Sequence, residues 1–233
     1  LSFFVGTGGW ADNPAPLNSL RRYGRVFNFV EVNATFYSFP SPSTFRRWRA
    51  EVPRAFRFAV KCNRVVSHQE GMRPTARALR ALDEMARACS LLEARVLVLQ
   101  TPSYLALDRE AARNLRELLS TLSGEARVAL DPGGRRPRPL DPYFVEAMKE
   151  LRIIHAVDLL REEPAYVEDV LYCRLFGLRV EEAELLSLHR RLLSLGAREN
   201  YLAFHHLKMV RPALRFMEIV GGKIGWGPLP ERA

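Results

Sequence analysis

The fold is decided by the stretch from Phe29 to Lys61, FVEVNATFYSFPSPSTFRRWRAEVPRAFRFAVK. It opens with alternation. Val30, Val32 and Ala34 fall on one side, and Glu31, Asn33, Thr35 and Tyr37 on the other. Period two is the signature of a strand, here predicted over Phe29–Phe36. Pro40 and Pro42 break that run. Ser43 or Thr44 is then placed to cap a helix through Trp48, and Pro53 ends it. A second apolar run, Arg57–Cys62, reads as the next strand and carries Lys61 near its end.

The same alternation of strand and helix continues in both directions. Upstream, Phe3–Val5 is a short strand ending in Gly6-Thr7-Gly8-Gly9-Trp10, and Asn18–Phe27 has helical spacing. Downstream, Arg64–Arg73 is an irregular loop and Thr75–Leu92 an amphipathic helix. Strands follow at Arg95–Leu99, Arg127–Leu130, Ile153–Val157, Val170–Phe176 and Tyr201–Phe204. Helices lie between them from Asp108, Pro142 and Glu181, with a last one over Arg211–Val220. Only Glu162–Glu168 is too short for a full crossover helix. Eight strand–helix units imply parallel strands joined by crossovers. Their number predicts an α/β fold of the TIM-like (β/α)8 barrel type, with a reduced sixth helix and one domain over residues 1–233. The competing architecture is an open doubly wound sheet.

The totals narrow the class. A chain of 233 residues that is 48% apolar and 26% charged builds an ordinary globular core. Its net charge of +9 permits attraction to a polyanion. The charge is spread along the chain, however, and its densest cluster, Arg135, Arg136 and Arg138, is a short Pro/Gly-flanked loop. Cys62, Cys89 and Cys173 are odd in number and far apart, which points to reduced thiols and a cytoplasmic location. No run approaches the ~18 apolar residues of a spanning helix, so no membrane partner is expected.

In a barrel the functional face lies at the C-terminal ends of the strands. Polar residues gather there: Glu31, Asn33, Lys61, Asn63, Gln100, Asp131, Asp158, Arg174, His205 and His206. Ala59, Ala129, Ala156 and Ala203 each precede a polar residue by two, which puts a small side chain below a polar one on the same face. Glu31, Asn33, Lys61, Asp131, Asp158 and His205 are therefore expected to share one mouth. The plain alternatives are a buried Glu31–Lys61 ion pair, helix caps at Asp131 and Asp158, and rim packing for Trp10, Phe36, Tyr37 and Trp48.

These motifs carry a resemblance. V-E-x-N-x-T-F-Y followed by P-x-x-x-T-F-x-x-W and V-P-x-x-F-x-F-x-V-K, from Val30 to Lys61, is similar to the YecE-like family, a domain of unknown function (DUF72) with a TIM-barrel-like fold. Gly6–Trp10 resembles its first-strand motif, His68 stands at its Ser/Thr-His position, and Gln100-Thr101-Pro102 resembles its fourth-strand Q-x-P. The C-terminal half diverges. Arg174-Leu175-Phe176-Gly177 stands where the family has R-x-H-G, and His205-His206 where it has Asn-Asn/Asp. Asp131-Pro132-Gly133 replaces a Glu/Arg-containing motif.

Three functions follow as expectations. The first is an enzyme acting at the mouth on a phosphorylated or sugar-like substrate. Glu31 would be its general acid or base, and Lys61 would neutralise an anion or lower a neighbour's pKa. Trp10, Asn33, Thr35, Tyr37, His68, Gln100, Asp131, Asp158, Arg174 and His205 would bind substrate. A variant places a divalent metal on Glu31, Asp131, Asp158 and His205, against which the charge of Lys61 argues. The second is a nucleic-acid-binding or phosphodiester-processing protein, with Phe36, Tyr37 and Trp48 stacking bases. The third is a non-catalytic ligand-binding barrel.

Overall fold

The structure is a computed structural model that describes residues 1–122, 126–133, 139–177, 180–206, 208 and 210–221. The Arg135, Arg136 and Arg138 cluster lies outside the described residues.

Eight strands form one parallel sheet: β1 (Ser2–Gly8), β2 (Phe29–Val32), β3 (Arg57–Lys61), β4 (Val96–Gln100), β5 (Arg127–Asp131), β6 (Ile154–His155), β7 (Val170–Phe176) and β8 (Glu199–His205). Their order around the sheet is β6-β5-β4-β3-β2-β1-β8-β7. The remaining gap closes at one bridge, Val157 to Cys173, where Val157 N donates to Tyr172 O and Arg174 N to Val157 O. The result is the predicted barrel rather than the open sheet.

Side chains sort into two shells. Phe29, Ala59, Val96, Val98, Ala129, Ile154, Ala156, Tyr172, Tyr201 and Ala203 fill the interior. The opposite strand faces pack against the helices α1 (Leu20–Tyr23), α2 (Ala34–Tyr37), α3 (Pro42–Glu51), α4 (Ala76–Leu92), α5 (Arg109–Ser120), α6 (Pro142–Glu150), α7 (Glu182–Leu195) and α8 (Val210–Ile219). All four alanines singled out by parity point inward, so the polar residue two positions on from each is aimed at the mouth. Gly6 keeps β1 close to β2, because a Cβ there would lie 1.8 Å from Phe29 O.

Three local expectations change. Strand β2 stops at Val32 instead of Phe36. Asn33 takes a helical conformation (φ −85°, ψ −21°) and opens α2. The polar groups of Thr35 are satisfied by the end of β3 and the residue beyond it rather than by a strand ladder: Thr35 Oγ1 donates to Lys61 O at 2.6 Å, and Asn63 Nδ2 to Thr35 O at 2.8 Å. Helix α3 is capped by Ser41, whose hydroxyl accepts from Thr44 N, not by Ser43 or Thr44. Pro42 at the first helical position fixes φ and selects that start. The loop after β3 contains a π-type helical turn at Val65–Gln69.

The gap after β6 agrees with the sequence. No helix is found between His155 and Val170. Arg191 on α7 reaches into the space, donating to Leu159 O and, at 3.2 Å, to Glu162 O. A side chain thus satisfies carbonyls that a helix would have paired internally.

Candidate functional site at the C-terminal mouth

The centre of the mouth is a network spanning the barrel. Glu31, from the last turn of the β2 ladder, is 0% exposed and Arg174, from β7, 2%. Arg174 Nε donates to Glu31 Oε2 at 3.1 Å, and Nη2 to Oε1 at 2.9 Å. Tyr172 adds its hydroxyl to Oε2 at 2.9 Å. The remaining arm of the guanidinium, Nη1, donates to Asp131 Oδ2, while Asp131 Oδ1 accepts from Gly133 N at 2.8 Å. Burial alone would raise the pKa of Glu31. The opposing field of Arg174, then of His205 and Lys61, prevails and holds it well below the carboxylate range. Arg174 is raised in turn by Glu31 and Asp131 against its burial.

Lys61 stands beside this network. Its ammonium lies 4.2 Å from the centre of the Phe36 ring. Among the described residues it makes no hydrogen bond and has no carboxylate within 4 Å. Burial, with Arg174 beside it, lowers its pKa to about 8 against the pull of Glu31 and Asp131. His68 touches the same ring edge-on at 5.1 Å, and its Nδ1 lies 2.9 Å from Ser67 Oγ. Burial, Lys61 and Arg64 lower the pKa of His68.

His205 closes the opposite side. Its ring stacks on Phe176 at 4.6 Å, and the two are register partners on β8 and β7. The two sequence departures at Phe176 and His205 are therefore in contact. His205 Nε2 faces Glu31 Oε1 at 3.6 Å, beyond hydrogen-bonding distance. Burial lowers its pKa, against the pull of Glu31. Position 8 must be glycine for this arrangement, since a Cβ there would lie 2.3 Å from His205 Nδ1 and 3.0 Å from Asn33 Nδ2. Asn33 thus reaches the mouth although it is not in the strand. Its Oδ1 is buried without a partner.

The other candidates are placed elsewhere. Trp10 packs edge to face on Trp48 at 5.0 Å. Thr35 is buried and ties α2 to β3. Tyr37 is 68% exposed at the rim. Gln100 ends β4 in register with Asp131. Asp158 ties strand ends together, its Oδ2 accepting from Phe176 N at 3.1 Å and its Oδ1 from Leu160 N at 3.2 Å. Burial raises its pKa. His206 is exposed past the end of β8. Glu31, Asp131, Asp158 and His205 do not form a metal-ligating cluster, and no such cluster occurs among the described residues. The guanidinium of Arg174 occupies the position between Glu31 and Asp131 that a cation would need. Tyr172 escaped the sequence reading, although it precedes Arg174 by two and so shares its face.

A cavity of about 250 Å³ opens at the other end of the barrel, lined by Arg95, Arg127, Asp169, Arg198, Glu199 and Tyr201 among others. Arg127 is paired there with Asp169 and, at 2.9 Å, with Glu168. This end is the face where a barrel builds stability rather than chemistry. The mouth is the functional candidate.

An eight-stranded parallel barrel with a polar C-terminal mouth places the chain among the TIM-type barrels. The family model described as "Protein of unknown function DUF72" matches residues 4–232, and the chain belongs to that family. A DUF72 family protein from Enterococcus faecalis V583 has a similar structure, with a TM-score of 0.76 and 18% identity over 95% of this chain and 98% of that one. A DUF72 family protein from Thermotoga maritima MSB8 gives 0.73 and 20% over 95% and 100%. At these identities the likeness shows the fold. The UPF0759 protein YecE of Escherichia coli K12 is 42% identical over 57 residues, which is 24% of this chain and 21% of YecE. Among the described residues, no helix is long and apolar enough to cross a membrane.

Proposed function

We propose that the C-terminal mouth is a small-molecule site for an anionic, hydroxyl-bearing ligand of the sugar-phosphate kind. One observation carries this reading: unfilled polar groups of complementary type meet at the mouth. Lys61 presents an ammonium with no anion beside it among the described residues, and Asn33 presents a buried carbonyl oxygen with no donor. A buried polar atom without a partner needs an explanation, and a ligand supplies one. Lys61 takes the anion and Asn33 Oδ1 takes a hydroxyl. Glu31 is the fixed counter-ion of Arg174, not a proton carrier, because protonating it would break the paired hydrogen bonds. Arg174 is committed to two carboxylates, so the phosphate contact falls to Lys61. The three free, buried cysteines support a reducing, cytoplasmic setting.

Calorimetry with a panel of sugar phosphates tests the reading. Binding should weaken about tenfold or more in Lys61→Met, the loss of roughly 1.4 kcal/mol of contact energy. Equal affinity in wild type and variant would overturn it. A salt-dependent gel shift with single- and double-stranded DNA and RNA, unaffected by Lys61→Met, would favour nucleic acid on the basic surface instead. Turnover assays on the panel, with and without Mn2+, Mg2+ or Zn2+, separate an enzyme from a binding barrel.

A further inference from the structure

The basic residues of this chain are almost all arginine. Of 35 Lys and Arg, only Lys61, Lys149, Lys208 and Lys223 are lysine. Where a positive charge alone is required, the composition supplies a guanidinium, and it does so at the centre of the mouth with Arg174. A guanidinium is never deprotonated in proteins and is no nucleophile, whereas a desolvated amine can be both neutral and nucleophilic. Among the described residues, Lys61 is the lysine that ends a strand at the mouth.

Its surroundings fit that chemistry. Lys61 ends β3 on the inward face, above Ala59. Its Nζ lies over Phe36, a wall that excludes water from one side. The two carboxylates that could pin it as an ammonium, Glu31 and Asp131, are held by Arg174. The network takes the anions and leaves the amine.

We propose that Lys61 is a covalent nucleophile, forming an imine with the aldehyde or ketone carbon of the ligand. The inference rests on the small-molecule reading of the same mouth: Lys61 first meets the anionic ligand as an ammonium, then, having lost its proton, exchanges that ion pair for a bond to the ligand's carbonyl carbon. The lone pair of Nζ attacks the carbonyl carbon, and the carbonyl π pair moves to oxygen, which takes a proton from solvent while nitrogen gives one up. The carbinolamine then loses its hydroxyl as water while nitrogen's lone pair forms the C=N bond. The product is a protonated imine. No oxidant or reductant enters. The new iminium lies where the ammonium lay, over Phe36 and in the field of Glu31 and Asp131. The fraction of neutral amine required is available near pH 8. His205 is the imidazole of the same mouth, and Gly8 leaves room beside its Nδ1, so it is the group suited to take the proton that Nζ releases as the carbinolamine forms and, as imidazolium, to pass it to the departing hydroxyl.

Trapping tests the proposal on the whole chain. The protein is incubated with dihydroxyacetone phosphate or glyceraldehyde 3-phosphate and sodium cyanoborohydride, and adducts are mapped by peptide mass spectrometry. Lys61 should label at least about tenfold faster than Lys149 or Lys208, saturate with probe, and gain rate as the pH rises through 8. Lys61→Arg, which keeps the charge, should fold as judged by circular dichroism and lose the fast adduct. Calorimetric binding of the probe without preferential labelling of Lys61 would refute the imine and leave the binding site standing. Neither binding nor preferential labelling would refute both.

Discussion

Glu31 and Arg174 face each other across the barrel, from β2 to β7, through two hydrogen bonds of 2.9 and 3.1 Å. Both side chains are shut away from water, so neither can lose the other cheaply. Breaking a buried pair leaves an uncompensated charge and costs ~3–5 kcal/mol. Arg174→Met should therefore lower the unfolding free energy by about that amount, and Glu31→Gln by somewhat less. Arg174→Lys should recover little, because an ammonium cannot reach both carboxylate oxygens and Asp131 together. Urea unfolding of the three variants checks this. A loss under about 1 kcal/mol for Arg174→Met would mean that the network is a surface-like pair.

Gly6 and Gly8 lie on one strand and should differ sharply on substitution. A Cβ at position 6 would meet Phe29 O at 1.8 Å, a backbone atom of the neighbouring strand. Gly6→Ala should yield little folded protein. A Cβ at position 8 would meet the imidazole of His205 and, less closely, the amide of Asn33, both side chains. Gly8→Ala should fold with a loss of ~1–3 kcal/mol, the range for an overpacked site. It should also displace His205 and weaken ligand at the mouth. Soluble yield, urea midpoint and ligand affinity, measured together, separate the two effects.

The sequence discloses the barrel because parallel strands buried on both faces read as short apolar runs, and eight of them recur between helices. The alanine–polar spacing discloses which way Lys61, Asp131, Asp158 and His205 point, since parity survives within a strand. It fails at Asn33 and Thr35, where α2 replaces the strand. It also cannot show that Arg174, not Lys61, is the partner of Glu31. That choice depends on which side chains meet across the barrel interior from strands 143 residues apart, as Glu31 and Arg174 are. Tyr172 was within reach of the same parity argument. The contact of Phe176 with His205 required the β7–β8 register.

Lys61 has a second measurable consequence. Its folded pKa is about 8, against roughly 10.4 in an unfolded chain. Between those values the unfolded chain binds more protons. The contribution of this group to stability therefore grows as the pH rises from 8 to about 10.4, and is lost as it falls through 8. Lys61→Met removes the cost of burying an ammonium. It should be more stable than wild type at pH 7, and the advantage should shrink by pH 10. Urea unfolding at both values decides the matter. Reductive methylation with 13C-formaldehyde gives a direct view, in which one dimethyl-lysine resonance should titrate near 8 and be missing from Lys61→Arg.

His155 sets the acid limit in a different way. It is buried in β6, and its Nδ1 accepts from Ala165 N at 2.9 Å. The ring's single proton is therefore on Nε2, which has no partner. A second proton would have to sit on Nδ1, against the N–H of Ala165. Burial, only partly offset by Asp131, accordingly lowers the pKa to about 4. The unfolded imidazole titrates near 6.5, so the unfolded chain binds more protons between about 6.5 and 4. Stability from this residue is complete above about 6.5 and declines as the pH falls to 4, by on the order of 3 kcal/mol. His155→Gln keeps an acceptor for Ala165 N and removes the titration. Urea midpoints at pH 7, 5.5 and 4 should fall less steeply in the variant than in wild type. Parallel slopes would show that His155 is protonated in the folded chain and that the contact with Ala165 opens to admit the proton.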